Sequence, residues 1–302
     1  MCTSGAEQSL RRRMFLGAAA AAGLSAIAAC GSGGAREGRP ASPSPSPSSP
    51  GPSTPAPSPT PSEAEESPLE EIEDSLEAKS PQQWGLAVTG VVTSFAAARN
   101  QAVLTLDACG GPDGSGYDEA LIEALRSTST PAALFINKRW AQEHPSVTRE
   151  LVDDPLFEIA NHGTRHLPLS VSGRSAYGIN GTANLQEAYA EVAENQDYFR
   201  DTYGLDLRHF RSGTAHADEV AVEMAQMRGV EVVNFSLNAD AGSTYSAGEV
   251  HAALAEVQPG DICIGHFNQP SSGTAEGIVS ALETVGERGI KWTTLEQALQ
   301  HS

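Results

Sequence analysis

Short apolar runs alternate with longer amphipathic runs along the last 220 or so residues of the chain. This alternation predicts a parallel sheet with helices packed outside it. The length favours an α/β barrel that is closed or nearly closed, with about seven parallel strands. The predicted strands are Ala102–Leu106, Ala132–Ile136, Phe157–Ile159, Arg208–Phe210, Val230–Asn234, Ile262–Gly265 and Trp292–Thr293. The predicted helices are Tyr117–Ser127, Ser146–Asp153, Leu185–Tyr203, Asp218–Arg228, Ala247–Val257, Ala275–Arg288 and Leu295–Gln300.

The first 29 residues have the pattern of an export signal. Arg11-Arg12-Arg13 precedes an uncharged, Ala-rich stretch that is too short for a membrane-spanning helix, which needs about 20 apolar residues. The paired arginines resemble a twin-arginine signal, and Ile27-Ala28-Ala29-Cys30 resembles a bacterial lipobox. We expect lipid on Cys30 to hold the exported chain on the outer face of the cell membrane. The alternative is an ordinary signal peptide followed by an incidental cysteine.

The segment 30–79 has the composition of a linker. Ten of the 19 prolines lie between Pro40 and Pro61, and residues 63–77 then carry eight acidic side chains and no basic ones. Such a segment offers little apolar surface to bury, so we expect a disordered, extended tether. The folded domain is expected at residues 80–302.

The formal net charge of −19 excludes some partners. Nucleic-acid binding depends on basic patches, so we expect none. Adsorption to anionic lipid is excluded on the same ground, which leaves the lipid on Cys30 as the membrane attachment. We expect a monomer.

Polar side chains follow several predicted strands, where parallel barrels place their chemistry. Asp107 ends the first strand before a glycine pair and suits a general base, a metal ligand or an ordinary turn. His162 and His166 follow the third strand, and two imidazoles four residues apart can hold one divalent metal.

Three further side chains follow later strands. Arg211 can pair with a carboxylate, Asp240 can orient a histidine or form a turn, and His266 can act as a general acid or sit satisfied in the core.

In this order, the segments resemble the polysaccharide deacetylase (NodB-homology) family, carbohydrate esterase family 4. The matching segments are Thr105-Leu106-Asp107-Ala108-Cys109, His162-Gly163-Thr164-Arg165-His166, Arg211, Asp240 and Ile264-Gly265-His266. The resemblance covers residues 85–300 and implies a distorted (β/α) barrel. It also implies that Asp107 is the catalytic base, that Arg211 keeps it ionised, and that His266 protonates the leaving group with Asp240 as its partner.

The resemblance implies a divalent metal on His162 and His166, zinc first and cobalt, nickel or manganese as alternatives. The family's usual third ligand is an aspartate, where this chain has Ala108. Cys109, Asp107 or a water molecule can take its place.

The implied function is a hydrolase of carbon–nitrogen bonds other than peptide bonds, which removes N-acetyl or O-acetyl groups from a cell-wall or extracellular glycan. The alternatives are a glycan-binding protein that lost catalysis with Ala108, and an amidase-like hydrolase on the same scaffold. Trp140, Tyr177 and Tyr245 are the candidate exposed aromatics for a glycan groove. The sequence does not settle whether Cys109 and Cys263 are free; a disulfide between them is the alternative to a buried, inert thiol at Cys263.

Overall fold

Eight parallel strands form one curled sheet in the computed structural model, which describes residues 68–97 and 99–300. The sheet order is β5-β4-β3-β2-β1-β7-β6, and β8 pairs with the start of β1. The strands are β1 Gln101–Ala108, β2 Ala132–Ile136, β3 Phe157–Asn161, β4 His209–Phe210, β5 Glu231–Val232, β6 Leu237–Asn238, β7 Ile262–His266 and β8 Lys291–Thr293. Among the described residues no ladder joins β5 to β6, so the barrel stays open on that side.

Nine helices lie among the described residues, most of them in the connections between successive strands. They are α1 Pro68–Leu76, α2 Glu119–Ser127, α3 Lys138–Glu143, α4 Pro145–Asp153, α5 Leu185–Tyr203, α6 Glu219–Met227, α7 Ala247–Ala255, α8 Thr274–Glu287 and α9 Leu295–Leu299. Side-chain caps fix where most of them begin, as at Asp118, Asn184 and Ser246.

The central strand β1 shows how the sheet separates two environments. Its side chains alternate between the two faces of the sheet. Leu104, Leu106 and Ala108 belong to the core between the sheet and the helices, whereas Val103 belongs to the cluster inside the barrel. Asp107 therefore shares the interior face with Val103, and this alternation places a charged side chain inside the barrel.

The fold class predicted from the sequence is confirmed, and each of the seven predicted strands is present. Three elements were missed, α1, α3 and β6. The strand β6 is only two residues long, and α3 is only six, so neither shows a full period of apolar residues.

The predicted linker extends too far toward the C-terminus. Pro68–Leu76, predicted to be disordered, forms α1 and buries Ile72 and Leu76 against α5 and α6. The acidic side chains around these two residues give the segment the composition of a linker, so the short amphipathic helix was not predicted. The described residues, 68–97 and 99–300, belong to one compact unit.

The export signal, Cys30 and residues 30–67 of the tether lie outside the described residues. Within 68–97 and 99–300, none of the helices is both long and apolar enough to cross a membrane.

Candidate metal and catalytic centre

A cleft of about 790 Å³ opens at the carboxyl ends of the strands. Its wall includes Asp107, Cys109, His166 and His266. These residues come from the end of β1 and the residue after it, from the loop after β3 and from the end of β7. The parallel register brings all of these segments to one end of the barrel.

Asp107, in the cleft wall, forms a buried ion pair with Arg211. Arg211 Nη1 donates to Asp107 Oδ1 at 2.7 Å and to Thr105 Oγ1 at 2.9 Å. The guanidinium is fully buried and stacks over the Phe135 ring, 4.1 Å from its centroid. Its other donors reach backbone oxygens, so the charge is held in one orientation.

The pair fixes the ionisation of Asp107. Burial raises the pKa of Asp107, but the Arg211 guanidinium, with smaller effects of His162 and His266, more than offsets it, so the pKa lies below its ordinary value. Burial in turn lowers the pKa of Arg211, which still carries its charge. Asp107 is therefore a carboxylate at neutral pH.

Cys109, His162 and His166 form a cluster of three metal-ligand atoms, all within 4.8 Å of one another. Cys109 Sγ lies 3.7 Å from His162 Nε2, and the two imidazole rings are 4.9 Å apart at 84°. Ligands about 2.0–2.3 Å from a tetrahedral zinc ion stand roughly 3.3–3.8 Å apart, which matches the first of these distances.

The orientation of both histidines suits a metal. His162 Nδ1 lies 3.0 Å from the Arg211 carbonyl oxygen and donates to it, which leaves the Nε2 lone pair facing the cluster. His166 Nε2 is buried and has no hydrogen-bond partner. A buried imidazole nitrogen without a partner, on a histidine that clusters with a thiol and a second imidazole, suits a divalent metal.

The strand geometry accounts for the residues at positions 108 and 109. Ala108 is the last residue of β1 and points into the apolar layer under the helices, where it is fully buried. The next side chain, Cys109, lies back on the side of the cleft. Cys109 therefore lies beside the histidines. An aspartate at position 108 would start from the opposite face of the strand, under the helices, and would have to reach across to the same place.

The histidines also favour the thiolate of Cys109. Burial raises the pKa of Cys109, but the nearby imidazoles of His166 and His162 more than offset this, and the pKa lies well below its ordinary value. The thiolate is the form that binds metal.

His266 and Asp240 form a second pair across the cleft. His266 Nδ1 lies 3.0 Å from both carboxylate oxygens of Asp240, and Thr274 Oγ1 donates to Oδ2 at 3.0 Å. Burial lowers the pKa of His266, but the hydrogen bonds to Asp240 and Cys109 raise it well above its ordinary value. A protonated imidazole is thus held at the cleft wall.

Among the three aromatic candidates, Tyr177 lines the cleft and is 78 % exposed, with Ile179 beside it. The prediction was wrong for Trp140, which is fully buried against Phe267 and donates to the Gly116 carbonyl oxygen. Its position in the short helix α3, which the sequence analysis missed, explains the error.

Cys109 and Cys263, the cysteines among the described residues, are free thiols. Cys263 is fully buried in β7. No role was predicted for Thr105, Thr274 or Glu191. Glu191 and Asn195 are the buried polar groups of α5, and their spacing on the apolar stripe of that helix was the available signal.

Residues 96–233 match the sequence profile of the polysaccharide deacetylase family. No curated protein matches the sequence significantly. The profile covers the segments that hold Asp107, the two histidines and Arg211, and it supports the family that the ordered motifs predicted.

Solved structures share the fold at low identity. A CE4 family pseudoenzyme from Bacillus anthracis is 18 % identical, with a TM-score of 0.58 over 74 % of this chain and 71 % of that one. A family 4 carbohydrate esterase from Streptomyces lividans is 21 % identical, with a TM-score of 0.53 over 65 % and 93 %. A peptidoglycan N-acetylglucosamine deacetylase is 16 % identical, with a TM-score of 0.58 over 69 % and 92 %. The folded part of the chain therefore has the fold of these carbohydrate esterases.

Proposed function

We propose that the domain is a metal-dependent deacetylase that removes acetyl groups from a cell-wall or extracellular polysaccharide. One observation carries the proposal. A carboxylate paired with Arg211 and an imidazole paired with Asp240 stand beside the Cys109, His162 and His166 cluster in one cleft. Hydrolysis of an acetamide needs a base, an acid and an electrophile in this arrangement.

Cys109, His162 and His166 would hold the metal. When bound, a divalent ion supplies a Lewis acid that polarises the acetyl carbonyl and lowers the pKa of a water molecule. A thiolate with two imidazoles favours zinc over the harder ions, so zinc is the first candidate and cobalt, nickel and manganese follow.

Asp107 acts as the general base. Its Oδ1 is occupied by Arg211, and its Oδ2 lies 3.6 Å from His162 Nε2, at the edge of the metal cluster. The second oxygen can therefore accept a proton from a water molecule that attacks the acetyl carbon. Arg211 lowers the driving force for that transfer but keeps the base ionised.

His266 acts as the general acid. Asp240 accepts its Nδ1–H, so the Nε2–H is the proton that His266 gives to the departing sugar amine or alcohol. The raised pKa keeps this imidazole protonated before the bond breaks.

The acid and base pairs favour catalysis over glycan binding alone. The relatives that share the fold include a pseudoenzyme as well as a named deacetylase, so the fold does not separate the two possibilities. A binding protein needs neither a buried arginine to ionise Asp107 nor a carboxylate to orient His266. We propose catalysis for that reason.

The glycan substrate is supported by the cleft and by the N-terminal sequence. Tyr177 and Ile179 present apolar surface at its wall, which suits the face of a sugar ring. A twin-arginine signal and lipid on Cys30 would place the domain outside the cell membrane near the cell wall.

The test uses the chain from Cys30 onward. We expect one metal ion per chain by mass spectrometry, and release of acetate from peptidoglycan or N-acetylglucosamine oligomers. Asp107→Asn should lower kcat/KM by about 10²–10⁴-fold with metal content unchanged. The control Asp153→Asn, on the exposed face of α4, should leave both unchanged.

Cys109→Ser tests the metal assignment. Loss of the thiolate should lower zinc content and activity together, whereas Cys263→Ala removes a thiol outside the cleft and should keep the metal. Protein that holds metal but releases no acetate from any of the glycans would point to the binding function. Release of another amine product instead would point to the amidase-like hydrolase.

A further inference from the structure

Glu191 is a buried carboxylate that the proposed chemistry does not use. It lies in the middle of α5 (Leu185–Tyr203) and has no exposed surface. A buried carboxylate needs compensating donors, since the cost of removing it from water is several kcal/mol. The groups that donate hydrogen bonds to Glu191 therefore indicate its structural role.

The donors come from the loop that carries His162 and His166 and from Leu167, the residue after it. Glu191 Oε1 accepts from the backbone N–H groups of Thr164 at 3.1 Å, Arg165 at 3.0 Å and Leu167 at 3.2 Å. Oε2 also accepts from the Arg165 N–H, at 3.0 Å. Because these partners are all N–H donors, the site accommodates a carboxylate and offers no acceptor for a carboxylic acid proton.

Burial raises the pKa of Glu191, and the backbone N–H groups of Arg165 and Leu167 offset part of that rise.

One turn further along α5, Asn195 holds the strand that enters the loop. Asn195 Nδ2 donates to Asn161 Oδ1 at 2.8 Å, and the same oxygen accepts from Gly163 N at 2.8 Å. Glu191 and Asn195 thus fix opposite ends of one loop from one helix face.

The loop needs such support because its backbone is in an uncommon conformation. His166 has φ of +63°, in the left-handed region that non-glycine residues disfavour by about 1–2 kcal/mol. Gly163 has φ of +77°, and a side-chain carbon there would lie 2.5 Å from Glu191 Oε1. The carboxylate thus packs directly on the loop backbone beside His162.

We infer that Glu191 is a positioning residue for the metal cluster, which holds the His162–His166 loop so that both imidazoles face Cys109. The inference rests on the metal site of the proposed function, and it does not require that the site deacetylates a glycan. Residues that orient metal ligands typically contribute about 10–100-fold to metal affinity.

The experiment measures Co²⁺ affinity of the metal-free chain by competition with a chelator, together with the cobalt–thiolate absorption. Glu191→Gln should weaken Co²⁺ binding by about 10–100-fold. Glu194→Gln is the matched control, because Glu194 lies on the same helix, is half-exposed and contacts Lys138. It should bind within about twofold of the unaltered chain.

Thermal unfolding of the metal-free variants separates positioning from general stability. A purely structural role lowers the unfolding midpoint of Glu191→Gln and leaves the Co²⁺ affinity of the folded protein unchanged, which overturns the inference. If Glu191→Gln does not fold, Glu191→Asp decides in the same way, since it keeps the charge but withdraws it from the loop.

An unaltered chain that binds no Co²⁺ also overturns the inference. A chain that binds Co²⁺ but releases no acetate refutes only the proposed function, and the Glu191 variants then still test the positioning role.

Discussion

Replacement of Arg211 by methionine should destabilise the domain because it leaves Asp107 buried without its partner. Arg211 donates four hydrogen bonds, to Asp107, Thr105 and the backbone oxygens of Val233 and Asn234. Both charged side chains are almost completely buried. Methionine fills similar volume but satisfies none of these acceptors.

The magnitude follows from the buried charge. Removing one partner of a buried ion pair costs about 3–5 kcal/mol, because the remaining charge is uncompensated. His162 lies 3.6 Å from Asp107 Oδ2 and can offset part of the loss, so we expect the lower end, about 3 kcal/mol. For a domain of this size that lowers Tm by roughly 6–12 °C.

A double-variant cycle isolates the pair. Asp107→Asn removes the stranded charge, so Asp107→Asn with Arg211→Met should be about 1–3 kcal/mol more stable than Arg211→Met alone. The assay is urea unfolding of metal-free protein followed by circular dichroism. The exposed Arg200→Met is the control and should not shift the midpoint. A double variant no more stable than Arg211→Met would show that the lost hydrogen bonds, rather than the buried charge, set the cost.

Three further predictions concern other parts of the molecule. Ser246→Ala removes the hydroxyl that accepts from Glu249 N at the start of α7 and should lower the free energy of unfolding by about 1 kcal/mol in urea titrations, whereas Ser243→Ala should not. Ile72→Ala with Leu76→Ala should destabilise the domain by about 4–8 kcal/mol or detach α1 as a protease-sensitive segment; no change in either would contradict its docked position. Tyr177→Ala should raise KM for N-acetylglucosamine oligomers and leave hydrolysis of a small acetyl ester unchanged; equal loss on both would place Tyr177 outside glycan recognition.

Much of the fold could be predicted because parallel strands buried on both faces are continuous apolar runs, as Ala132–Ile136 is. The elements that escaped prediction were short, and their burial depends on contacts distant in sequence. Ile72 and Leu76 lie among acidic residues in the sequence, and they become core residues only because α1 packs against α5 and α6.

The ordered polar residues at strand ends could be predicted, because parallel topology brings such ends together whatever the detailed geometry. The supporting residues could not. Glu191 is identical in type to many exposed glutamates, and its partners are backbone N–H groups of a loop that no sequence pattern specifies. Thr105 likewise acquires its role only when Arg211 crosses the barrel to reach it.

The strand geometry gives a structural reason for Ala108. If this alanine is interpreted only as the loss of a metal ligand, it suggests a protein that binds no metal. In the structure β1 continues through Ala108, whose methyl group belongs to the apolar layer, and an aspartate at that position would bury a carboxylate among leucines. The candidate ligand lies one residue along, at Cys109, beside His162 and His166. Restoring an aspartate by Ala108→Asp should therefore destabilise the domain and fail to raise metal affinity, and unfolding and Co²⁺ titrations of that one variant measure both effects.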